Sequence, residues 1–143
     1  MATVYDQELL EALSNFSDIE VIGDPGPYFK LIEERFPIAM NRVDWSAKAN
    51  HRFLDLQGLE ANQKLTSLRS FVEELEAKSE DQYVVVIGDG AQENAYRFEL
   101  SILKHVIGYF TSMPQHVFVL FEKSGACLNY TFEDELFFGQ PKL

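Results

Sequence analysis

The fold is decided by residues 83–100, YVVVIGDGAQENAYRFEL, in which an apolar run leads into a glycine-rich turn. Residues 83–87 are continuously apolar and mostly β-branched, which predicts a strand buried on both faces. Residues 94–98 are a second candidate strand. Between them, Gly88, Asp89 and Gly90 have the composition of a tight turn, because glycine tolerates positive φ angles and aspartate bonds to nearby backbone. The segment therefore predicts a core strand that is closed by a polar turn.

Helical spacing of apolar residues predicts four helices around this strand. The first three cover residues 6–16, 27–36 and 59–77. Pro27 is suited to the first turn of the second helix, and Pro37 ends that helix. Ser101 is the expected cap of the fourth helix, which ends at Met113 and Pro114. Helices therefore dominate the first half of the chain.

Strands dominate the last third of the chain. Three are predicted at residues 116–122, 126–132 and 135–139, joined by two hairpin turns. Residues 19–22 are a further short strand, and residues 37–58 are expected to form a loop with a short strand. We therefore expect a single α+β domain, residues 1–143, with helices packed on one face of a mostly antiparallel sheet. The alternative is an α/β arrangement, because a helix separates the strand at 83–87 from that at 116–122.

The composition limits the partners that this chain can have. It carries 23 acidic and 12 basic residues, a formal net charge of −11. Such a surface repels nucleic acids and anionic membranes, so we expect neither as a partner. The single cysteine, Cys127, excludes an intramolecular disulfide, and no segment has the roughly 20 apolar residues that span a bilayer. We expect a cytoplasmic protein whose acidity either maintains solubility or meets a basic partner.

Two segments suggest an enzyme but lack its chemistry. Gly88-Asp89-Gly90 resembles the metal-binding segment of haloacid-dehalogenase-type phosphatases, and residues 53–59, FLDLQGL, resemble their nucleophile loop. The general acid of that loop is replaced by Gln57, and the Thr or Ser after its glycine by Leu59. Phosphate-loop motifs are missing, and the histidines and the cysteine have no metal-site spacing. We expect no enzyme, cofactor, metal or catalytic residue, with a small hydrolase as the alternative.

Acidic clusters are the candidate partner-binding residues. The seven candidates are Glu73, Glu74, Asp89, Glu93, Glu133, Asp134 and Glu135. The first two lie near the C-terminus of a predicted helix, where negative charge opposes the helix dipole. The last three lie at a hairpin tip beside Phe137 and Phe138. Acidic and aromatic residues at a strand end are suited to an interface, whereas a solvated face and core packing of the aromatic rings are the alternatives.

The C-terminal part of the chain resembles small bacterial immunity proteins. The pattern covers residues 81–139: DxYVVVIGDG, then a helix, then MPQHVFVLFE, then ACLNYTFEDELFFG with its closing Phe-Gly. Immunity proteins protect cells against polymorphic toxins, including those of contact-dependent growth inhibition. The resemblance implies a non-enzymatic inhibitor that binds one cognate toxin domain, often a nuclease with a basic cleft. Another acidic interaction module, such as a nucleic-acid mimic, is the alternative.

Overall fold

A computed structural model describes residues 3–40, 42–48 and 50–141. The helices in these ranges are α1 (Val4–Leu13), α2 (Gly26–Arg35), α3 (Ala61–Lys78) and α4 (Leu100–Thr111), with a 3-10 turn at Trp45–Ala47. The strands are β1 (Glu20–Ile22), β2 (Ile38–Ala39), β3 (Arg42–Val43), β4 (Arg52–Asp55), β5 (Tyr83–Gly88), β6 (Ala95–Glu99), β7 (Val117–Phe121), β8 (Cys127–Tyr130) and β9 (Glu135–Gly139). None of the described helices is long and apolar enough to cross a membrane.

Seven of these strands form one antiparallel sheet. Their order is β1-β6-β5-β7-β8-β9-β4, and β2 and β3 form a separate hairpin. β5 is an interior strand: Val85 lies opposite Arg97 of β6 on one side and Leu120 of β7 on the other. The α+β prediction is therefore confirmed, and the antiparallel pairing of β5 with both neighbours excludes the α/β alternative.

The sheet is covered on both faces. α1, α3 and α4 pack on one face over a large core that includes Val84 of β5. The next residue, Val85, points to a smaller core on the opposite face, which Ile32 of α2 and Trp45 close. The prediction of helices on one face therefore describes α1, α3 and α4, whereas α2 lies on the other. A strand that is apolar on both faces requires cover on both.

The predicted boundaries agree with the observed elements to within a few residues, except over residues 37–58, where the expected loop with one short strand contains β2, β3, the 3-10 turn and β4. A second difference concerns the cap of α4. Its N-cap is Glu99, which makes no capping hydrogen bond with its side chain. Ser101 lies inside the first turn, so its prediction as the cap is wrong. The reason is that β6 ends at Glu99 and α4 begins at the next residue, which leaves no loop for a capping serine. Residues 41 and 49 of the predicted loop lie outside the described residues.

Candidate functional site

Five of the seven acidic candidates meet at one end of the sheet. Asp89 and Glu93 lie in the loop 89–94 that joins β5 to β6. Glu133, Asp134 and Glu135 lie in or directly after the turn 131–134 that joins β8 to β9. The segment 112–116 between α4 and β7 separates the two. We call these three segments, residues 89–94, 112–116 and 131–134, the loop end.

His116 joins the two acidic segments of the loop end. Its backbone N–H donates to Asp89 Oδ1 at 2.7 Å, and its carbonyl accepts the Asp89 N–H at 3.2 Å. Its ring Nδ1 accepts the Phe132 N–H at 3.0 Å, which places the ring proton on Nε2. This linking role of His116 was not predictable from the sequence, because its hydrogen bonds join segments that are far apart in the chain.

Buried amide side chains hold the loop 89–94 from behind. Gln115 Oε1 accepts the N–H groups of Ala91 and Gln92 at 3.1 and 3.0 Å. Gln115 Nε2 donates to Gln92 Oε1 at 2.8 Å, and Gln92 Nε2 donates to the Asn94 carbonyl at 2.9 Å. Three residues of this loop, Ala91, Gln92 and Asn94, are buried, and the other three are exposed. The buried half of the loop is therefore hydrogen-bonded to the segment before β7.

Gly88 is required by space and not by backbone conformation. A Cβ atom at this position would lie 2.2 Å from Gln115 Oε1. The described glycines with positive φ are Gly58 and Gly125, so the expectation that the glycines of the turn supply positive φ is wrong. The turn itself lies where the sequence predicted it, and Asp89 accepts a hydrogen bond from a neighbouring segment instead of its own backbone.

Asp6 connects α1 to the loop end. Its side chain is fully buried and accepts the Glu93 N–H at 2.8 Å, the Asn94 N–H at 3.2 Å and the Tyr96 hydroxyl at 2.6 Å. It also accepts the Thr3 N–H at 3.0 Å, which completes the capping box of α1. Burial by itself raises the pKa of Asp6, but the hydrogen bonds outweigh it, so the pKa lies below its ordinary value. The Thr-x-x-Asp spacing signals the cap, whereas nothing in the sequence signals the contact with the loop.

The turn between β8 and β9 presents Phe132 to solvent. The side chain of Phe132 is 62% exposed. The Asp134 N–H donates to the Thr131 carbonyl at 3.1 Å, and Gln57 Nε2 donates to the Glu133 carbonyl at 3.0 Å. Together with the bond from the Phe132 N–H to His116, these contacts fix the backbone of the turn at the position from which the aromatic side chain projects.

Phe137 and Phe138 belong to the packing of the sheet. Phe137 is stacked on Trp45 with 5.6 Å between ring centroids, and Phe138 meets Phe121 edge-on at 5.5 Å. Both are only partly exposed. Core packing therefore explains these two rings, and Phe132, which the sequence analysis overlooked, is the exposed aromatic residue of the hairpin.

Three of the acidic candidates form ion pairs with basic residues between positions 42 and 64 of the chain. The pairs are Glu133 with Arg42 at 3.1 Å, Asp134 with Lys64 at 2.8 Å and Glu74 with Arg52 at 3.1 Å. Hydrogen bonds from Lys64 and Tyr130 lower the pKa of Asp134. Asp134 also has a φ of 61°, a left-handed conformation that aspartate tolerates better than most residues. A basic partner must compete with these internal cations.

The other candidates have different surroundings. Glu74 contacts Arg52, the first residue of β4, and therefore lies away from the loop end. Glu73, its exposed neighbour on α3, lies away from the loop end as well. Glu135 lies opposite Asp55 in the β4–β9 register. Like charges directly opposite each other on neighbouring strands repel. A cation bound between the carboxylates of Glu135 and Asp55 therefore reduces their repulsion.

Asp89 and Glu93 line a shallow depression beside the start of α2. It has a volume of about 450 Å³ and is also lined by Phe29 and Pro25. Carboxylates accept charge-assisted hydrogen bonds from lysine and arginine, and an aromatic ring adds a cation–π surface. The depression therefore has the chemistry to receive a basic side chain.

No model of a known protein family matches this chain, and a search of the curated proteins finds no match. Among the described residues, no group of three or more His, Cys, Asp or Glu side chains is arranged to hold a metal ion. In the same part of the chain, every buried side-chain nitrogen and oxygen has a hydrogen-bond partner.

Proposed function

We propose that this protein is an immunity protein, a non-enzymatic inhibitor that binds one cognate toxin domain, a basic nuclease, in the cytoplasm. The observation that carries the proposal is the loop end, where acidic side chains and the exposed Phe132 share one hydrogen-bonded frame. The net charge of −11 and the pattern over residues 81–139 support the same conclusion.

The acidic surface and the exposed aromatic ring have separate roles in this proposal. The acidic surface attracts a basic nuclease over a distance and raises the rate of association. Phe132 then supplies the apolar anchor, because aromatic side chains at the centre of an interface contribute most of its binding energy. The turn is fixed by His116, Gln57 and Thr131 before the partner arrives, which reduces the entropy lost on binding.

The surface proposed here is narrower than the set of acidic candidates. The depression beside Asp89 and Glu93 receives a lysine or arginine of the toxin, and Glu135 with Asp55 offers a second site of unbalanced negative charge. Glu73 and Glu74 lie away from this surface. Glu133 and Asp134 contribute mainly by holding the turn through Arg42 and Lys64.

The proposal is tested by calorimetry against the toxin domain encoded by the neighbouring gene. We expect a one-to-one complex with that domain and none with a non-cognate toxin. Phe132→Ala is expected to weaken binding at least tenfold, the size of a hot-spot residue. The matched control is Phe53→Ala, which removes a 49%-exposed ring from β4. The absence of a tight complex with the cognate domain refutes the proposal, and an unchanged affinity for Phe132→Ala places the interface elsewhere.

The charge contribution needs variants that keep the frame intact. Asp89→Asn with Glu93→Gln removes two charges while leaving an acceptor for the His116 N–H. The control, Glu33→Gln with Glu34→Gln, removes two exposed charges from α2. We expect the first pair to slow association several-fold at low salt and the second pair to change it less. If both double variants slow association equally, the rate depends only on the net charge of the chain and not on Asp89 and Glu93.

A further inference from the structure

A groove runs between α3 and α4 on the helical side of the turn 131–134. Its volume is about 720 Å³. Leu65 is partly exposed within it, and the nearly buried core residues Leu68 and Met113 lie at its floor. α3 and α4 touch here, since a Cβ on Gly108 would lie 2.8 Å from Leu65 Cδ1. The groove is therefore a feature of two packed helices and of the turn beside them.

Two exposed aromatic side chains line the groove. Tyr109 of α4 is 51% exposed and Phe132 of the turn is 62% exposed. Large apolar surface that remains in contact with water in a soluble domain marks a binding surface more often than an isolated exposed residue does. A molecule in the groove would cover both rings, together with the apolar residues between the helices.

The lining of the groove contains two basic residues, Lys64 and Arg69, and one acidic residue, Asp134, in contrast to the acidic excess of the chain as a whole. Arg69 and His105 both line it, and Arg69 forms no ion pair within the described part of the chain. Lys64, also in the lining, is balanced by Asp134 at 2.8 Å. The groove therefore has one uncompensated guanidinium in a chain of net charge −11. Local charge of this sign favours an anionic ligand.

The dimensions favour a small ligand over a helix of a partner protein. Binding sites for small molecules have volumes of roughly 300–1,000 Å³. The α3 residues in the lining run from Ala61 to Arg69, a length of about 12 Å at 1.5 Å per residue. This length matches an extended chain of about ten carbons and only about two turns of an α-helix.

We propose that this groove binds a small apolar carboxylate, an alkyl or arylalkyl acid. Its apolar body lies against Leu65, Leu68 and Met113, between Tyr109 and Phe132. Its carboxylate pairs with Arg69. The groove shares Phe132 with the surface proposed for toxin binding, but binding of a carboxylate needs no protein partner and can be tested on the isolated chain.

The test compares decanoate with decylammonium, which has the same chain length and the opposite charge. Both are titrated below their micelle concentrations and followed by NMR of the methyl groups. We expect decanoate to shift the Leu65, Leu68 and Met113 signals saturably, and to bind more tightly than decylammonium. The net charge of −11 favours the cation everywhere else, so a preference for the anion must come from the groove. Equal or tighter binding of decylammonium overturns the proposal, as do shifts spread over the whole surface.

Two variants test the assigned contacts. Arg69→Glu is expected to weaken decanoate binding about tenfold, because an exposed attraction is replaced by a repulsion. Lys30→Glu on α2 is the matched control, with the same change in net charge on an exposed residue of the opposite face. Tyr109→Ala is expected to weaken decanoate and decylammonium alike. Equal losses from Arg69→Glu and Lys30→Glu, or full affinity in Tyr109→Ala, overturn the proposal.

Discussion

Replacing Asp6 by alanine removes the acceptor that joins α1 to the loop end. The carboxylate accepts the Glu93 N–H, the Asn94 N–H and the Tyr96 hydroxyl, in addition to the Thr3 N–H of its own helix. Alanine leaves all four donors without this partner. The Asn94 N–H and the Tyr96 hydroxyl are buried, so water does not replace it readily.

The expected loss of stability follows from the donors that are left without an acceptor. A buried donor without a partner costs about 1–3 kcal/mol, and hydrogen bonds to a charged group are at the upper end of the usual range. With two buried and two partly buried donors affected, we expect Asp6→Ala to lower the free energy of unfolding by about 3–5 kcal/mol. The free energy of unfolding of a typical domain is about 5–15 kcal/mol. The loss is therefore large.

A second substitution separates the hydrogen bonds from general damage. Tyr96→Phe in the natural chain removes one donor, and we expect it to cost about 1–2 kcal/mol. In the Asp6→Ala background the hydroxyl has lost its acceptor at 2.6 Å and keeps only the Asp6 backbone carbonyl at 3.5 Å. There, Tyr96→Phe is expected to cost clearly less than in the natural chain. The non-additivity measures the coupling of the two residues.

The measurement is urea unfolding followed by the fluorescence of Trp45. This is the single tryptophan, it is 4% exposed, and it packs in the small core on the opposite face of the sheet. The control is Glu8→Ala, an exposed acid on the same helix, with an expected change within about 0.5 kcal/mol. A loss below about 1 kcal/mol for Asp6→Ala, or equal costs of Tyr96→Phe in both backgrounds, refutes the reasoning.

The same carboxylate makes stability depend on pH. Its pKa is lower in the folded protein than the ordinary value of 3.8. Its contribution is therefore fully present above the pKa of the unfolded chain and is lost as the pH falls through the folded value. We expect the difference in stability between the natural chain and Asp6→Ala to be constant near neutral pH and to narrow below about pH 4. A difference that does not narrow at pH 3 contradicts this assignment.

Three further predictions concern single contacts. Gly88→Ala places a Cβ 2.2 Å from Gln115 Oε1 and displaces that side chain. We therefore expect the free energy of unfolding, measured by chemical denaturation, to fall by about 2–4 kcal/mol. An unchanged denaturation midpoint contradicts the close approach. Trp45→Phe removes the donor to buried Asn129 Oδ1 at 3.0 Å, and circular dichroism should report a loss of about 1–3 kcal/mol. Burial raises the pKa of the Cys127 thiol, so a disulfide reagent should label it only after unfolding. Rapid labelling of the native protein would show that the thiol is accessible.

The elements of the last third were predictable because their signals are local. Residues 135–139 form a strand with the predicted bounds, and β7 and β8 are each shorter than predicted at both ends. Runs of apolar residues that are bounded by turn residues indicate such hairpins, and this signal does not depend on distant contacts. The cap of α4 was not predictable in the same way. Ser101 has the right residue type, but the direct passage from β6 to α4 leaves it inside the helix.

The candidate site was predictable in its charge but not in its arrangement. The sequence identified Asp89 and Glu93 as exposed acids in a turn, and both are exposed. It gave no sign that His116 would link Asp89 to Phe132, or that Gln115 would occupy the space above Gly88. Each of these contacts joins segments that are separated by more than ten residues in the chain.

By itself the sequence determined the helices and the strands outside residues 37–58, the apolar strand that needs cover on both faces, and the excess of negative charge. Periodicity, turn chemistry and composition are properties of neighbouring residues, so they can be read without coordinates. Only the tertiary structure decided how that charge is distributed. It neutralises Glu133 with Arg42 and Asp134 with Lys64, and it brings Asp89 and Glu93 together at one depression. An ion pair depends on the distance between two charges in space, and that distance is set by the packing of the whole chain.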